Sequence, residues 1–284
     1  MVQVLAIPVY VGRKTASERF PGAINSMTCE GMMADGKALQ MGTSHELGQN
    51  FARIFDIQYL DDAGAQQLCW TTSWGASTRL MGALIMGHGD ENGLVVPPRL
   101  APVQCVVLLV KDEQGTGDAA RKLADDLYSR GVRVELDDRV DTSFGRRATD
   151  WELKGVPLRL EVGPRDLAEG DVTIVRRDTG MKAQVNVDAA CNQIVDAIET
   201  LQSELLASAT ARRNERTTDC STLDDIVEAA ATGFARAPWR IIGDEGEAKL
   251  AESAVTVRCL QRDDGTVPLS DDEPDLIAYC ARSY

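Results

Sequence analysis

Histidine is nearly missing from this 284-residue chain: there are two, His45 and His88, and they are not spaced to share a zinc ion. There is no G-x-S-x-G elbow and no P-loop, so nothing points to an α/β-type serine hydrolase, a Walker-type NTPase or a zinc protease. The seven cysteines are an odd number and include no CxxC pair. They read as small buried thiols in a reducing compartment rather than a disulfide framework. No apolar run reaches the ~20 residues that span a bilayer, and the longest, 103–110, reads as a buried strand. The apolar start, 1–11, lacks the basic flank and cleavage site of a signal peptide. A cytoplasmic location and no membrane partner are the expectation. A basic excess is missing too: 30 Lys and Arg face 44 Asp and Glu, a formal net charge of −14. That excludes generic nucleic-acid binding through bulk charge and leaves only recognition by specific residues.

What is present falls into three stretches. Up to about residue 98 the chain is Gly-rich and irregular. Leu47, Phe51, Ile54 and Phe55 recur at helical spacing, predicting a helix over 46–56. Leu80, Leu84 and His88 share one face of a second helix. Asp35-Gly36 is a hairpin signal, with a strand ending near Gln40. From Leu100 the pattern becomes strand–helix–strand. Residues 103–110 form an apolar strand, Ala119, Leu123, Ala124 and Leu127 line a helix stopping at Gly131, and 132–136 are the next strand. Such a unit favours parallel pairing. Strands at 157–162 and 172–175 and a helix from about Asp188 complete a compact α/β domain. A polar joint at 210–218 then leads to a tail with fourteen acidic against six basic residues. The tail opens on a helix carrying Leu223, Ile226, Val227 and Ala230.

Two places carry chemistry. Gln40, Gly42, Thr43, Ser44 and His45 are expected where a strand turns into a helix, whose free N–H groups suit an anion or the polar edge of a ligand. Ser44 acting simply as a helix cap is the alternative there. In "TTSWGASTRLMGALIMGHGD" (71–90), Gly75, Ala76, Ser77 and Thr78 let a backbone pass close to a flat ligand. Arg79 follows at the mouth of an apolar helix. Its guanidinium suits phosphate, and pairing with a local carboxylate is the alternative. His88 fits a helix end, where an imidazolium meets the dipole favourably.

The stretches "ADGKALQMGTSHELGQNFARIFDIQYL" and "TTSWGASTRLMGALIMGHGDENGLVVPPRLAP" resemble prolyl-tRNA synthetases of the archaeal and eukaryotic type. The second is similar to the third signature motif of class II aminoacyl-tRNA synthetases. The likeness continues through "GRKTASERFPGA", "WELKGVPLRLEVGPRDL" and "IVRRDTG" to the final "RSY". It implies an α/β fold class in three parts. Residues 1–100 would be an α+β remnant, the C-terminal half of the class II antiparallel-sheet core. Residues 101–209 would be an α/β anticodon-binding domain with a mixed sheet, and 210–284 a small α/β C-terminal domain. The implied activity is proline–tRNA ligation: ATP and L-proline give prolyl-adenylate, and the prolyl group passes to the tRNA for proline.

The resemblance also implies roles. Gln40, Thr43 and Arg79 would bind ATP, used with Mg2+, and His45, Ser73, Trp74 and Gly75 would line the pocket for proline and the terminal adenosine. Glu152, Lys154, Arg159, Glu161, Arg165 and Asp166 would read the anticodon; Arg forks onto guanine acceptors and a carboxylate accepts from an amino group. Residues 144–182 hold eight basic and seven acidic side chains, which suits recognition by few specific groups. No catalytic general base is implied. The four-cysteine zinc site common in the family is not expected, because only Cys259 matches a ligand position and Cys280 stands where an aromatic is usual. The first two class II motifs would precede Met1, so the expectation is an inactive C-terminal portion of an enzyme whose full-length form is a homodimer. A non-catalytic truncated paralogue that binds tRNA or a synthetase partner is the alternative.

Overall fold

A computed structural model describes residues 1–284, which divide into two compact units. Met1–Ala6 with His88–Ala209 form the first, and Ile7–Gly87 with Thr210–Tyr284 the second. The fold is mixed α/β, with several sheets and no closed barrel.

In the first unit the sheet has five strands, in the order Lys182–Asn186, Asp171–Arg176, Leu158–Val162, Cys105–Leu109 and Val134–Asp137. The last three are parallel and the first two join antiparallel, giving the mixed sheet expected. Side chains alternate across a strand. One face therefore carries Leu158, Leu160 and Val162 with Cys105, Val107 and Leu109 into a core under the helices Thr116–Ser129 and Val187–Glu215. On the other face Val106 and Leu108 meet Ala148 and Trp151 of the helix Phe144–Leu153. Beneath that helix lies a buried charge. Asp137 accepts from Trp151 Nε1 at 2.7 Å and from Arg147 Nη1 at 3.3 Å, and Arg147 also donates to the Leu109 and Thr142 carbonyls. Burial would raise the Asp137 carboxyl, but hydrogen bonds from Arg139, Trp151 and Arg147 outweigh it and hold the group well below the usual carboxylate range.

The helix from residue 187 runs 29 residues to Glu215, through most of the segment read as a polar joint. Residues 206–215 contain no Gly or Pro, so polarity alone does not end it. The chain then enters the strand Thr217–Asp219. The tail helix Leu223–Ala229 is closed by a capping box between Thr222 and Asp225.

In the second unit the sheet has eight strands. Four come from residues 7–87: Val9–Arg13, Asn25–Met32, Ala38–Gly48 and Thr71–Gly75. Four come from the tail: Thr217–Asp219, Phe234–Pro238, Thr256–Gln261 and Ile277–Ala281. The two sets join where Arg13 pairs with Leu260, so stretches expected on either side of the middle domain share one sheet. All neighbours are antiparallel except Thr217–Asp219 with Phe234–Pro238. The Asp35-Gly36 hairpin forms as expected. Gly36 has φ 91°, and a Cβ there would sit 2.0 Å from the Thr232 carbonyl oxygen.

The strand after that hairpin does not stop near Gln40. It runs eleven residues, Ala38–Gly48, and the helix behind it shrinks to Asn50–Phe55. Strands on both sides hydrogen-bond through residue 46, and this ladder overrides the helical spacing of Leu47 to Phe55. Ile54 and Phe55, two of the residues at that helical spacing, are 74% and 67% exposed.

Candidate functional site

The extended strand changes how Gln40, Thr43 and His45 are presented. They are not at a helix N-terminus, and Ser44 caps nothing; the N-cap position is Gln49. They lie mid-strand between two partners. In a regular strand Gln40 and Thr43, three apart, would point to opposite faces. A β-bulge prevents this. Cys29 pairs with Gly42 and Glu30 with Gln40, leaving Met41 as the extra residue. Gln40 therefore shares a face with Glu30, and Thr43 with Thr28 on that same face. Pairing to the next strand adds Gly75 opposite Thr43 and Ser73 opposite His45. Ser44 and its partner Trp74 take the other face, where Trp74 is 81% exposed. The structure thus brings together Gln40, Thr43, His45, Ser73 and Gly75 and leaves Trp74 apart.

A cleft of about 220 Å³ opens there, lined by Gln40, Met41, Gly42, Thr43, Gly75, Ala76, Ser77 and Arg79. Arg79 begins the helix Arg79–His88 and is exposed rather than buried in its mouth. It has no carboxylate partner; Nη1 donates to the Gln40 carbonyl at 3.3 Å. The local ion pair held open as an alternative is absent, and the guanidinium can still bind an anion. His88 ends that helix, as expected, with Nε2 2.8 Å from the Leu5 carbonyl oxygen.

His45 extends the same face. Its Nδ1 lies 2.7 Å from Ser26 Oγ, and its ring centroid is 4.9 Å from that of Phe20. Burial lowers its pKa and favours the neutral imidazole. Phe20, Ser26, Thr28 and Glu30 were missed in the sequence. The signal was available in the period-two polar pattern Ser26, Thr28, Glu30 of the strand Asn25–Met32.

No carboxylate lines the cleft, so its walls offer Mg2+ no anionic ligand. Nor do three or more His, Cys, Asp or Glu side chains cluster to hold a metal anywhere. Burial raises the thiols of Cys259 and Cys280, the latter to about 12. Ser26 Oγ is buried against His45, so that pair presents no exposed nucleophile, and this face can position a ligand and neutralise charge.

In the first unit the six candidate residues spread over two places. Arg159 and Glu161 alternate with the core residues of their strand and point to the opposite face. There Arg159 Nε donates to Glu161 at 2.8 Å. Asp166 accepts from Thr173, the residue paired with Glu161. Glu152 and Arg159 flank a crevice with Arg176 and Arg177. Lys154 instead stacks on Trp151, with Nζ 4.2 Å from the ring centroid. Arg165 stands exposed on the short helix Pro164–Ala168 and makes no hydrogen bond or ion pair.

The family profile described as "Anticodon binding domain" matches residues 104–197. Along its whole length the chain is similar to proline–tRNA ligases. That of Frankia alni is 58% identical over 285 residues, covering 100% of this chain and 61% of the relative. That of Roseiflexus sp. is 42% identical over 266 residues, covering 91% of this chain and 55% of the relative. Among solved structures, the prolyl-tRNA synthetase of Cryptosporidium parvum complexed with halofuginone and AMPPNP matches with a TM-score of 0.88 at 32% identity, covering 100% of this chain and 61% of that one. The same enzyme complexed with L-proline and AMP gives a TM-score of 0.86 at 32% identity, covering 100% of this chain and 63% of that one. The chain therefore spans about three-fifths of the length of these relatives. No helix is long and apolar enough to cross a membrane.

Proposed function

We propose that this chain is the nucleotide-cleft and anticodon-reading part of a proline–tRNA ligase, class II, of the archaeal and eukaryotic type. The observation that carries the reading is the convergence of Gln40, Thr43, Gly75 and Arg79, from separate segments, on one cleft beside His45. The Arg79 guanidinium, which no carboxylate neutralises, suits ATP phosphate. His45, with Phe20 against it, suits a small apolar amino acid and the terminal adenosine. L-proline and the tRNA for proline are the partners, the complete enzyme is a cytoplasmic homodimer, and Mg2+ comes with the nucleotide. Residues 101–209 read the anticodon, while 1–100 and 210–284 are the catalytic remnant and C-terminal domain. The neighbours complexed with AMPPNP and with L-proline and AMP support this assignment.

Residues 1–284 tested by themselves bind ATP but do not activate proline; they span about three-fifths of the relatives' length. The experiment is proline-dependent exchange of pyrophosphate into ATP by this stretch. Background exchange is expected; turnover well above background overturns the inactive-portion reading. A second reading, a tRNA-binding paralogue without ligase activity, is favoured by the profile match falling inside one compact unit. Retained stem-loop binding with no ATP binding selects it.

A further inference from the structure

Behind the cleft lies a buried charge that no role above uses. Glu30 is fully buried; its Oε2 accepts from Arg258 Nε at 3.0 Å and Nη2 at 2.9 Å, and its Oε1 lies 3.5 Å from Lys14 Nζ. Lys14 and Arg258 are themselves buried. Held between an ammonium and a guanidinium, the carboxylate only accepts. The buried Thr28 hydroxyl sits 2.6 Å from Oε1 and gives its single proton there. Its lone pairs can then only accept, and the group that reaches them is Gln40 Nε2, at 3.4 Å. A glutamine amide can present either end. Reversed, Gln40 would set its oxygen against a hydroxyl whose proton is committed elsewhere. The chain Glu30–Thr28–Gln40 therefore fixes the amide nitrogen inward and turns Oε1 toward the cleft that Gln40 lines.

We propose that Thr28 and Glu30 are positioning residues that hold Gln40 Oε1 as a hydrogen-bond acceptor, so that the cleft selects a nucleotide carrying a donor at that point. Two groups of ATP supply such a donor, the base amino group and a ribose hydroxyl. The inference rests on the reading of the cleft as a nucleotide site.

The test is equilibrium titration of the whole chain with ATP and with ITP, 2′-deoxy-ATP and 3′-deoxy-ATP, which remove the amino group or one hydroxyl. One analogue should bind about fivefold or more weaker than ATP, and its identity names the group. Thr28→Val should abolish that discrimination while changing affinity for the discriminated analogue less than twofold. Thr28→Ser, which keeps the hydroxyl, should restore it, an outcome that a purely structural role for Thr28 does not predict. ATP binding without discrimination in the wild type, or discrimination that survives Thr28→Val, overturns the inference and leaves the nucleotide reading intact. Absence of ATP binding in the wild type overturns the nucleotide reading, and the inference falls with it.

Discussion

In the eight-stranded sheet, the buried charges Glu30, Lys14 and Arg258 lie directly behind an open cleft and reach it through Thr28. In the five-stranded sheet, Asp137 and Arg147 are sealed under the helix Phe144–Leu153 at one edge, while Lys182 on the opposite edge strand meets solvent. The same device, an ion pair out of water, thus has two uses. In one sheet it orients a side chain that lines an open cleft. In the other it anchors a helix to its sheet. A buried pair broken on one side leaves an uncompensated charge in either place, but only in the first should ligand selectivity change.

The largest effect should come from the second use. Arg147→Ala strands Asp137 without its buried cation and removes donors to three carbonyls, those of Leu109, Asp137 and Thr142. It should destabilise the first unit by about 3–5 kcal/mol in urea unfolding. ATP affinity of the chain under native conditions should stay within a factor of about two. Acid should act at the same place. Because the Asp137 pKa is depressed in the fold, its contribution is complete above the ordinary aspartate value of about 3.9 and is lost as pH falls toward the lower folded value. Trp151 fluorescence should report loss of the first unit's packing below about pH 4. Arg147→Ala should remove only part of that acid limb, because the Arg139 and Trp151 hydrogen bonds depress Asp137 more than the bond it deletes.

Next in size is Arg165→Ala. This exposed, unpaired guanidinium should contribute about 1–3 kcal/mol to binding of the proline anticodon stem-loop and sharpen discrimination at one guanine. Arg213→Ala is the control; that side chain packs over Tyr10 in the second unit and should leave discrimination unchanged. Equal affinity for the stem-loop and for one with its guanines changed to adenine would remove the anticodon-reading role.

The smallest effect separates the two faces of one strand. Trp74 lies opposite Gln40, Thr43 and Gly75, so Trp74→Ala should change ATP affinity by less than about 0.5 kcal/mol. A loss comparable to that of a cleft residue would mean that Trp74 reaches the ligand after all.

The first unit was largely legible in the sequence, because its signals are local. The apolar run 103–110, the helix stopping at Gly131 and the alternation in Leu158–Val162 each lie within one element, and each formed near its expected place. The second unit was less so. A bulge of one residue at Met41 decides that Gln40 and Thr43 share a face, and no periodicity in residues 38–48 announces it. The helix expected from 46 lost to strand pairing from both sides, which depends on residues 25–32 and 71–75 rather than on its own sequence. The union of residues 7–87 with the tail in one sheet rests on pairing between Arg13 and Leu260, a separation no local pattern encodes. Arg79 was expected at the mouth of an apolar helix; it is exposed there, and no carboxylate neutralises it.

Central to this account is a cleft whose Arg79 meets the phosphates of a nucleotide, and paired titrations of ATP and adenosine with the whole chain and its Arg79→Ala variant test that directly. A charge-assisted contact of this kind should contribute about 1.5–3 kcal/mol. The wild type should bind ATP more tightly than adenosine by that margin, and the variant should bind the two nearly alike with adenosine affinity unchanged. A preference for ATP that survives Arg79→Ala, or no ATP binding by the wild type, would contradict it.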